Sequence, residues 1–537
     1  MNSNKYTTLI VILSMVIGML IGTMFSHRFA GNRLSIINIT SNKINDLLSI
    51  LDEDYVDTVN ISDIVEKTMP KILAELDPHS SYISAEDAQF NNDDLKGSFS
   101  GIGVQFTIKN DTVYITNIIS GGPSEKVGLM AGDRIVSIDG KPYVGKDTVN
   151  NKETLRLLKG EKGTKVRLGV VRGSEKKLLH FNITRGDIPI TSIYSAYMLD
   201  SETGYIKVDK FSESTYAELL TSLAVLEQQH FKGLILDLRG NNGGSMGVAI
   251  QMINEFLPAN RLIVYTQGRN MPRQDYKSDG HGSYSGIPLV VLTDELSASA
   301  SEIFAGAIQD NDRGMIVGRR TFGKGLVQQP IEFSDGSIIN LTVARYYTPS
   351  GRCVQKSYTS GEDQQYINDL LTRFEHGEFF NVDSIRQSGK MFKTRLGREV
   401  YGGGGVMPDI FVPEDTTMFT PYYQEAVSKG LVTQFCFDYT DRNRSVLEAQ
   451  KDIDGVLQYL KTNHVLEDFF AYLDREGVVR RNNMIAKSRR LFETAVYGSI
   501  IYNTFDMQEY IEFINRDDIT LDRALQLFKD NATTPKK

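Results

Sequence analysis

Leu292-Thr-Asp-Glu-Leu-Ser-Ala-Ser-Ala-Ser-Glu302 and, one helix and one strand later, Thr321-Phe-Gly-Lys-Gly-Leu-Val-Gln328 decide the reading of this chain. The apolar run Ile287-Pro-Leu-Val-Val-Leu-Thr293 predicts a buried strand, and Ser297-Ala-Ser-Ala-Ser-Glu-Ile-Phe-Ala-Gly-Ala-Ile308 predicts a helix crowded with small residues. A serine at the start of such a helix lies beside backbone N–H groups that no earlier turn satisfies, at the positive end of the helix dipole. These are the groups that stabilise a developing oxyanion. Ser299 and Glu302 stand one turn apart and Asp310 about three turns on, so the three share a face. The second stretch follows the short strand Met315-Ile-Val-Gly318 and sets Lys324 between two glycines, where it can approach a backbone-lined site. To act as a base this lysine must be neutral, which requires desolvation or a neighbouring positive charge. The plain alternative is a surface lysine whose glycines serve the turn. No histidine occurs between His281 and His376, so the pairing points to a serine hydrolase of the Ser–Lys kind. Spacing does not choose among Ser297, Ser299 and Ser301.

Two neighbouring patterns imitate other sites. Gly318-Arg-Arg-Thr-Phe-Gly-Lys-Gly325 approaches the phosphate-binding GxxxxGK[ST] but ends in glycine where a Mg²⁺-binding hydroxyl belongs. Gly243-Gly-Ser245-Met-Gly247 matches GxSxG, and an esterase on Ser245 with His376 or His464 is an alternative reading. In a nucleophile elbow the first glycine directly follows the strand, however, and here Arg239-Gly-Asn-Asn242 intervenes. Paired glycines after asparagines look more like a backbone anion nest.

The chain has 537 residues, too many for one core, so several domains are expected. With 23% charged residues, a net charge of −8 and no basic cluster interleaved with aromatics, it offers no nucleic-acid surface. Seven scattered histidines without HExxH or HxH spacing, and two distant cysteines, Cys353 and Cys436, suit neither a metal site nor a disulfide framework. No metal or other cofactor is expected. Residues 7–25 carry no charge and are strongly apolar, and about 19 residues nearly cross a bilayer core. No small-x-small cleavage pattern and no lipid-accepting cysteine follow, so a transmembrane signal-anchor is expected ahead of an exported body, with a cleaved signal peptide as the alternative. Helical spacing marks residues 33–95, and short alternating strands with glycine turns mark 96–185. Alternating strands and helices fill 186–415, predicting an α/β core with a largely parallel sheet, interrupted by a hairpin around Asp335-Gly336. Helical periodicity returns over 416–537, with Val446, Val456, Leu457, Leu460, Phe469, Leu473, Leu491 and Leu525 as core positions.

Ser297-Ala-Ser-Ala-Ser-Glu302, Thr321-Phe-Gly-Lys-Gly325 with Gln328, Asp237-Leu-Arg-Gly-Asn-Asn-Gly-Gly244 and Ala344-Arg-Tyr-Tyr-Thr-Pro-Ser-Gly351 together resemble the carboxy-terminal processing peptidases, also called tail-specific proteases. Leu76-Asp-Pro-His-Ser80 and Gly402-Gly-Gly-Gly-Val-Met-Pro-Asp409 resemble further family segments, and the similarity spans roughly residues 60–415 in family order. The resemblance implies that Ser299 is the nucleophile, Lys324 the general base and Gln328 the residue that orients it. It implies an oxyanion hole from the backbone N–H of Ala300 and Gly243, with Glu302 and Asp310 supporting the site. Asn242 stands where the family often has proline, a difference in turn stiffness rather than chemistry.

Lys96-Gly-Ser-Phe-Ser-Gly101-Ile-Gly103-Val-Gln-Phe106 and the strands after it resemble a PDZ domain. Gly101, Ile102, Gly103 and Val104 would then hold a substrate's C-terminal carboxylate while its tail adds to the sheet edge. The expectation is thus a multidomain α/β serine protease with an inserted PDZ-like β-rich domain, an N-terminal membrane anchor and helical terminal segments. It would cleave proteins near free C-termini in the bacterial cell envelope, with its soluble body in the periplasm or outside. The terminal helical segments would serve self-association or an adaptor. An inactive PDZ scaffold is the alternative of another class.

Overall fold

Gly233-Leu-Ile-Leu-Asp237 and Leu289-Val-Val-Leu-Thr293 are apolar almost throughout, and such strands need cover on both faces. A computed structural model of the chain, which describes residues 43–88, 97–109, 111–119, 121–146, 148–172, 178–385 and 389–535, shows how they obtain it. The expected anchor at residues 7–25 lies outside the described residues. Among the described residues no helix is long and apolar enough to cross a membrane.

The chain divides into a unit ending at Ile72 and a second from Leu73 onward. In the first, helix α1 (Lys43–Asp54) buries no residue and helix α2 (Ile61–Ala74) begins. The second unit opens with the short strand Ser81–Ile83. An inserted β-domain follows, with strands β1 (Val104–Lys109), β2 (Thr112–Ile118) and β3 (Arg134–Ile138). Helix α3 (Asn151–Leu158) and strands β4 (Lys165–Val171) and β5 (Leu179–Thr184) complete it. Its sheet runs β1-β2-β3-β4-β5, with β1 at the edge. Ser98–Gly101 pairs antiparallel with Gly186–Pro189, so the domain's entry and exit strands are zipped together. Its own core includes Ile102, Val113, Ile115, Leu168 and Ile183.

The α/β core comprises β6 (Ile193–Met198), β7 (Thr203–Val208), α4 (Thr215–Gln228), β8 (Gly233–Asp237), α5 (Met246–Asn254) and β9 (Leu262–Gln267). It continues through β10 (Leu289–Thr293), α6 (Ala300–Asp310), β11 (Met315–Gly318), β12 (Leu326–Glu332), β13 (Ile338–Tyr347) and β14 (Ile410–Phe411). The main sheet runs β6-β7-β8-β10-β11-β14, parallel except for β6 against β7, as the sequence predicts. The expected hairpin is present, but its first strand is β12, beginning just after Lys324; Gly336 N–H closes the turn on Phe333 C=O at 3.0 Å. β12 and β13 belong to a second sheet with Ser81–Ile83, β9 and Gln274–Lys277.

Helices α4, α5 and α6 cover one face of the main sheet through Leu219, Leu223, Ile253, Ile303, Phe304 and Ile308. Burial of each such side chain contributes about 1.5–3 kcal/mol. Helix α6 is buried at every position, which explains its small residues: a Cβ on Gly306 would meet Thr348 Cγ2 at 2.6 Å. The C-terminal segment is helical as expected, including α7 (Leu431–Glu448), α8 (Val465–Arg475), α9 (Asn482–Thr504) and α10 (Ile519–Lys529). Val456, Leu460, Phe469 and Leu473 are core positions there, with Leu457 packed beside them. Val446 is exposed and its neighbour Leu447 is buried instead, because the buried stripe of α7 passes one residue on. This segment is not a separate body: Leu521, Ala524 and Leu527 of α10 pack with Ile235, Val290 and Leu292 and cover the sheet's other face. Both cysteines are free, Cys436 being buried.

Asp310, expected to support the catalytic site, ends α6 at the far end from Ser299. Its carboxylate holds Arg352 at 2.8 Å, both side chains fully buried, and accepts the Ser350 N–H at 3.0 Å. It therefore fixes the turn after β13 rather than the reacting groups. Asp310→Ala leaves the guanidinium without its counter-charge and should lower stability by about 3–5 kcal/mol, read as an earlier unfolding transition in urea. A shift worth less than about 1 kcal/mol would show that the pair is dispensable.

Candidate active site

Three loops leave the C-terminal ends of adjacent parallel strands: Leu238 to Gly244 after β8, Asp294 to Ser299 after β10, and Arg319 to Gly325 after β11. Crevices outside the carboxyl ends of parallel strands are where open α/β sheets bind ligands. The motifs singled out in the sequence thus converge because their strands are neighbours.

The three competing serines separate by what their hydroxyls do. Ser297 and Ser301 are fully buried, and donate to Leu238 C=O at 2.8 Å and Asn241 C=O at 2.9 Å. They fasten the β8 loop to the start of α6. Ser299 is half-buried, and its hydroxyl, which sits in a capping box with Glu302, donates to no group among the described residues. Its backbone sits at φ 54° and ψ −112°, a region that costs a non-glycine residue about 1–3 kcal/mol. The next N–H, that of Ala300, opens the helix and has no partner among the described residues. Gly243, at φ 108°, packs so closely that an added Cβ would lie 2.7 Å from Ser299 Cβ and 3.1 Å from Ala300 N. Its own N–H, expected in the oxyanion hole, is directed elsewhere: it donates to Asn241 Oδ1 at 2.8 Å.

Glu302 holds the serine and lysine segments together. Its fully buried carboxylate accepts the N–H of Ser299 at 3.0 Å and of Lys324 at 2.7 Å. It also accepts Gly323 N–H at 2.7 Å and the Thr321 hydroxyl at 2.6 Å. Burial pushes this carboxyl up to about 7 against the pull of four donors. On the other side the buried Tyr346 hydroxyl donates to Ser299 C=O at 3.0 Å and reaches Lys324 C=O as well. The two segments are therefore tied at both their N–H and their C=O groups. Further supports come from Val406, whose N–H donates to Thr321 Oγ1 at 2.7 Å, and from Arg373, which donates to Thr321 C=O at 3.1 Å.

Two lysines stand in this region, and they differ in the same way as the serines. Lys356 Nζ is pinned by Asp369 at 2.9 Å and lies 3.9 Å over the Phe322 ring. Lys324 Nζ has no hydrogen bond or ion pair among the described residues. Burial lowers the pKa of Lys324, opposed by the charges of Glu302 and Asp77. His79, also near it, is held down to about 4 by burial first and by Lys324 second, so its imidazole is neutral near pH 7. His79 shares a 2.7 Å hydrogen bond with Tyr366. Asp77 accepts the N–H groups of His79 and Ser80, both at 2.9 Å, and the Thr342 hydroxyl at 3.0 Å. The sequence marked Asp77 and His79 as part of a family-like segment but assigned them no role. Tyr346 was signalled only by lying in another such segment.

Gln328, expected to orient Lys324, donates instead to Thr342 Oγ1, its cross-strand partner, at 3.3 Å. The pairing with β13 skips Val343 between Val327 and Gln328, and a bulge of this kind in the partner strand sets Gln328 opposite Thr342. Ser245 is the N-cap of α5, its hydroxyl accepting from Val248 N–H at 3.4 Å, and it bonds to neither His376 nor His464. A Cβ on Gly247 would meet only Ser245 Oγ, at 3.7 Å, so this GxSxG lacks the close packing of a nucleophile elbow.

Residues 202–361 match Peptidase family S41, residues 100–183 match the PDZ domain, and residues 422–506 match a family of unknown function, DUF8443. The chain is 35% identical over 315 residues to the carboxy-terminal processing protease CtpA of Bacillus subtilis, covering 58% of this chain and 66% of that protein. It is 35% identical over 320 residues to the carboxy-terminal-processing protease of Bartonella bacilliformis, covering 58% of this chain and 72% of that one. A match at 29% identity over 381 residues to a probable CtpA-like serine protease of Staphylococcus haemolyticus covers 66% and 74%.

The close approach of Gly243 to Ser299 sets a test. Gly243→Ala places a methyl 2.8 Å from Ala298 C=O on a left-handed backbone, so Ser299 and the Ala300 N–H must move. Hydrolysis of fluorescein-labelled casein should fall about 100-fold with an unchanged circular dichroism spectrum. Gly247→Ala, where the space is open, should leave the rate unaltered; equal effects at the two glycines would contradict the geometry.

Proposed function

Because the chain belongs to the carboxy-terminal processing proteases of Peptidase family S41 and is with them a serine-type peptidase, we propose that Ser299 is its nucleophile and neutral Lys324 its general base. The observation that supports the assignment is the matching of two groups that donate to nothing among the described residues. Ser299 Oγ and Lys324 Nζ stand on segments bound together by Glu302 and Tyr346, while Ser297, Ser301 and Lys356 donate in holding the structure.

In this reading the PDZ domain captures a protein's C-terminus, and Ser299 Oγ attacks a peptide carbonyl nearby. Lys324 Nζ takes the hydroxyl proton as the Oγ–C bond forms, and the Ala300 N–H receives the negative charge that develops on the carbonyl oxygen. Collapse of the tetrahedral intermediate expels the amine, which takes the proton back from Lys324, and water then hydrolyses the acyl-enzyme. Ser299 Oγ and Lys324 Nζ make no hydrogen bond to each other in this structure, so activation consists of bringing the two into contact. Gly243 contributes close approach rather than a donor while Asn241 holds its N–H. Gln328 and Thr342 connect to Lys324 through Asp77, whose charge favours the protonated lysine. The uncharged run at residues 7–25 supports placing the activity at a membrane of the bacterial cell envelope.

Ser299→Ala and Lys324→Ala should each lower casein hydrolysis by roughly 10⁴-fold or more while the fold is kept. Substantial activity in either protein would overturn the dyad, and loss of activity in Ser245→Ala alone would restore the other serine. The pH dependence has a definite sign. Protonated Lys324 cannot accept a proton, so the rate rises with pH as Lys324 deprotonates and then levels, with the limb below the ordinary lysine range because burial lowers the pKa. Asp77→Asn removes a charge that favours protonation and should move this limb to lower pH; an unmoved limb would exclude Lys324 as the titrating group.

A further inference from the structure

Strand β1 is the edge of the PDZ sheet, yet it does not face open solvent along its outer side. Helices α7 and α9 stand opposite it, and a cavity of about 680 Å³ lies between them. Residues 105–109 all line this cavity. Successive strand residues point to opposite faces, so lining by every one of five means that the cavity meets the strand along its edge.

The side chains of β1 fall into two sets. Phe106 and Ile108 are registered with Ile115 and Val113 of β2 and pack toward the PDZ core. Gln105, Thr107 and Lys109 share the outer face with Tyr114 and Thr116, and this face meets the helices. Tyr502 of α9 donates to Gln105 Oε1 at 2.6 Å, Lys109 pairs with Asp438 of α7 at 2.5 Å, and Tyr114 meets the Phe437 ring edge-on at 5.6 Å. Thr433, Gln434 and Asn503 extend the helical wall.

We infer that α7 and α9 form a second wall of the tail-binding groove, one that selects alternate residues of the bound C-terminal peptide. This rests on the capture of C-terminal tails proposed above. A tail added to β1 continues the pleat, so its side chains alternate between two surroundings. Those registered with Phe106 and Ile108 turn toward the PDZ core. Those registered with Gln105 and Thr107 would face water in a PDZ domain alone, but here they meet the helical wall. That wall presents neutral hydrogen-bonding groups, Thr433, Gln434, Tyr502 and Asn503, around the Phe437 ring. Lys109, the only cation lining the cavity among the described residues, is already paired with Asp438. The fitting occupant is an extended C-terminal segment whose residues on this side are uncharged; a carboxylate there meets no unpaired cation.

Binding is measured by fluorescence anisotropy on the full chain carrying Ser299→Ala. The probes are a labelled alanine-rich octapeptide with a free C-terminal carboxylate, its amidated twin, and a set with aspartate at each of the last six positions in turn. The amidated peptide should bind at least about tenfold more weakly; equal binding would sink tail capture itself, independently of the wall. Gln434→Lys supplies the missing cation, and it should raise affinity about fivefold for aspartate at one position, or at two positions spaced two apart, and not at those between. Thr433→Lys, at an exposed position on the same helix, repeats the test if Gln434→Lys does not fold. An equal rise at adjacent positions, or no rise at any, with carboxylate-dependent binding intact, would overturn the second wall alone.

Discussion

The buried carboxylate of Glu302 is the constraint on which the site depends. A charged group with no exposure is tolerated only when its oxygens are supplied with donors, and here four are supplied by two chain segments that are far apart in sequence. Three of the four are backbone N–H groups, so what the carboxylate fixes is the path of the chain. It holds Ser299 at the start of α6 and Lys324 in its glycine loop, where neither Ser299 Oγ nor Lys324 Nζ donates to a group among the described residues. Charge-assisted bonds of this kind contribute roughly 1.5–3 kcal/mol each, enough to offset the backbone strain at Ser299. Glu302 thereby fixes Ser299, the proposed nucleophile, through its backbone N–H.

The same carboxylate acts on the chemistry electrostatically, and its effect opposes that of burial. Desolvation lowers the pKa of Lys324, whereas the charges of Glu302 and Asp77 raise it. The neutral His79 nearby adds a polar ring without adding charge near pH 7. A lysine base needs enough desolvation to lose its proton and enough negative field to take one from the serine. For Lys324 as the proposed base, burial supplies the first and the charges of Glu302 and Asp77 the second.

Much of this was legible in the sequence because it depends on local pattern. The parallel sheet follows from apolar runs separated by helices, and the convergence of the motifs follows from their all lying at the carboxyl ends of strands. Ser299 was distinguished from Ser297 and Ser301 only by family resemblance; the physical reason, that the flanking hydroxyls are buried against Leu238 and Asn241, needs three dimensions. Gln328 shows the opposite case. Its position in the motif was plain, but the register shift after Val327 gives its amide to Thr342, and bulges leave no mark that a single sequence reveals. Asp310 was expected to support the site and shares a helix face with Ser299, but a shared face says nothing about distance along the axis. Gly243 was expected to donate its N–H, and the intervening Asn241 side chain was not anticipated.

The C-terminal helices illustrate a more general limit: periodicity identifies which face of a helix is buried but not what covers it. Their apolar spacing marked a helical segment over 416–537 without saying what it packs against. In the structure α10 closes one face of the protease sheet, and Arg239 beside the β8 loop pairs with Asp518 at its start at 2.6 Å. The same segment meets the outer face of β1 and β2 in the PDZ domain through α7 and α9. A body fixed to the protease sheet at one end and to strand β1 of the PDZ domain at the other restricts how these two can move relative to each other. Domains joined only by linkers are expected to reorient freely, since inter-domain interfaces are modest in size. Here the zipped strands at the PDZ entry and exit supply one connection and the helical segment a second. Two connections on different sides of the PDZ domain resist rotations that either alone would permit. Under the proposed capture of C-termini, the distance from the bound tail to Ser299 follows from the fold and not from linker length.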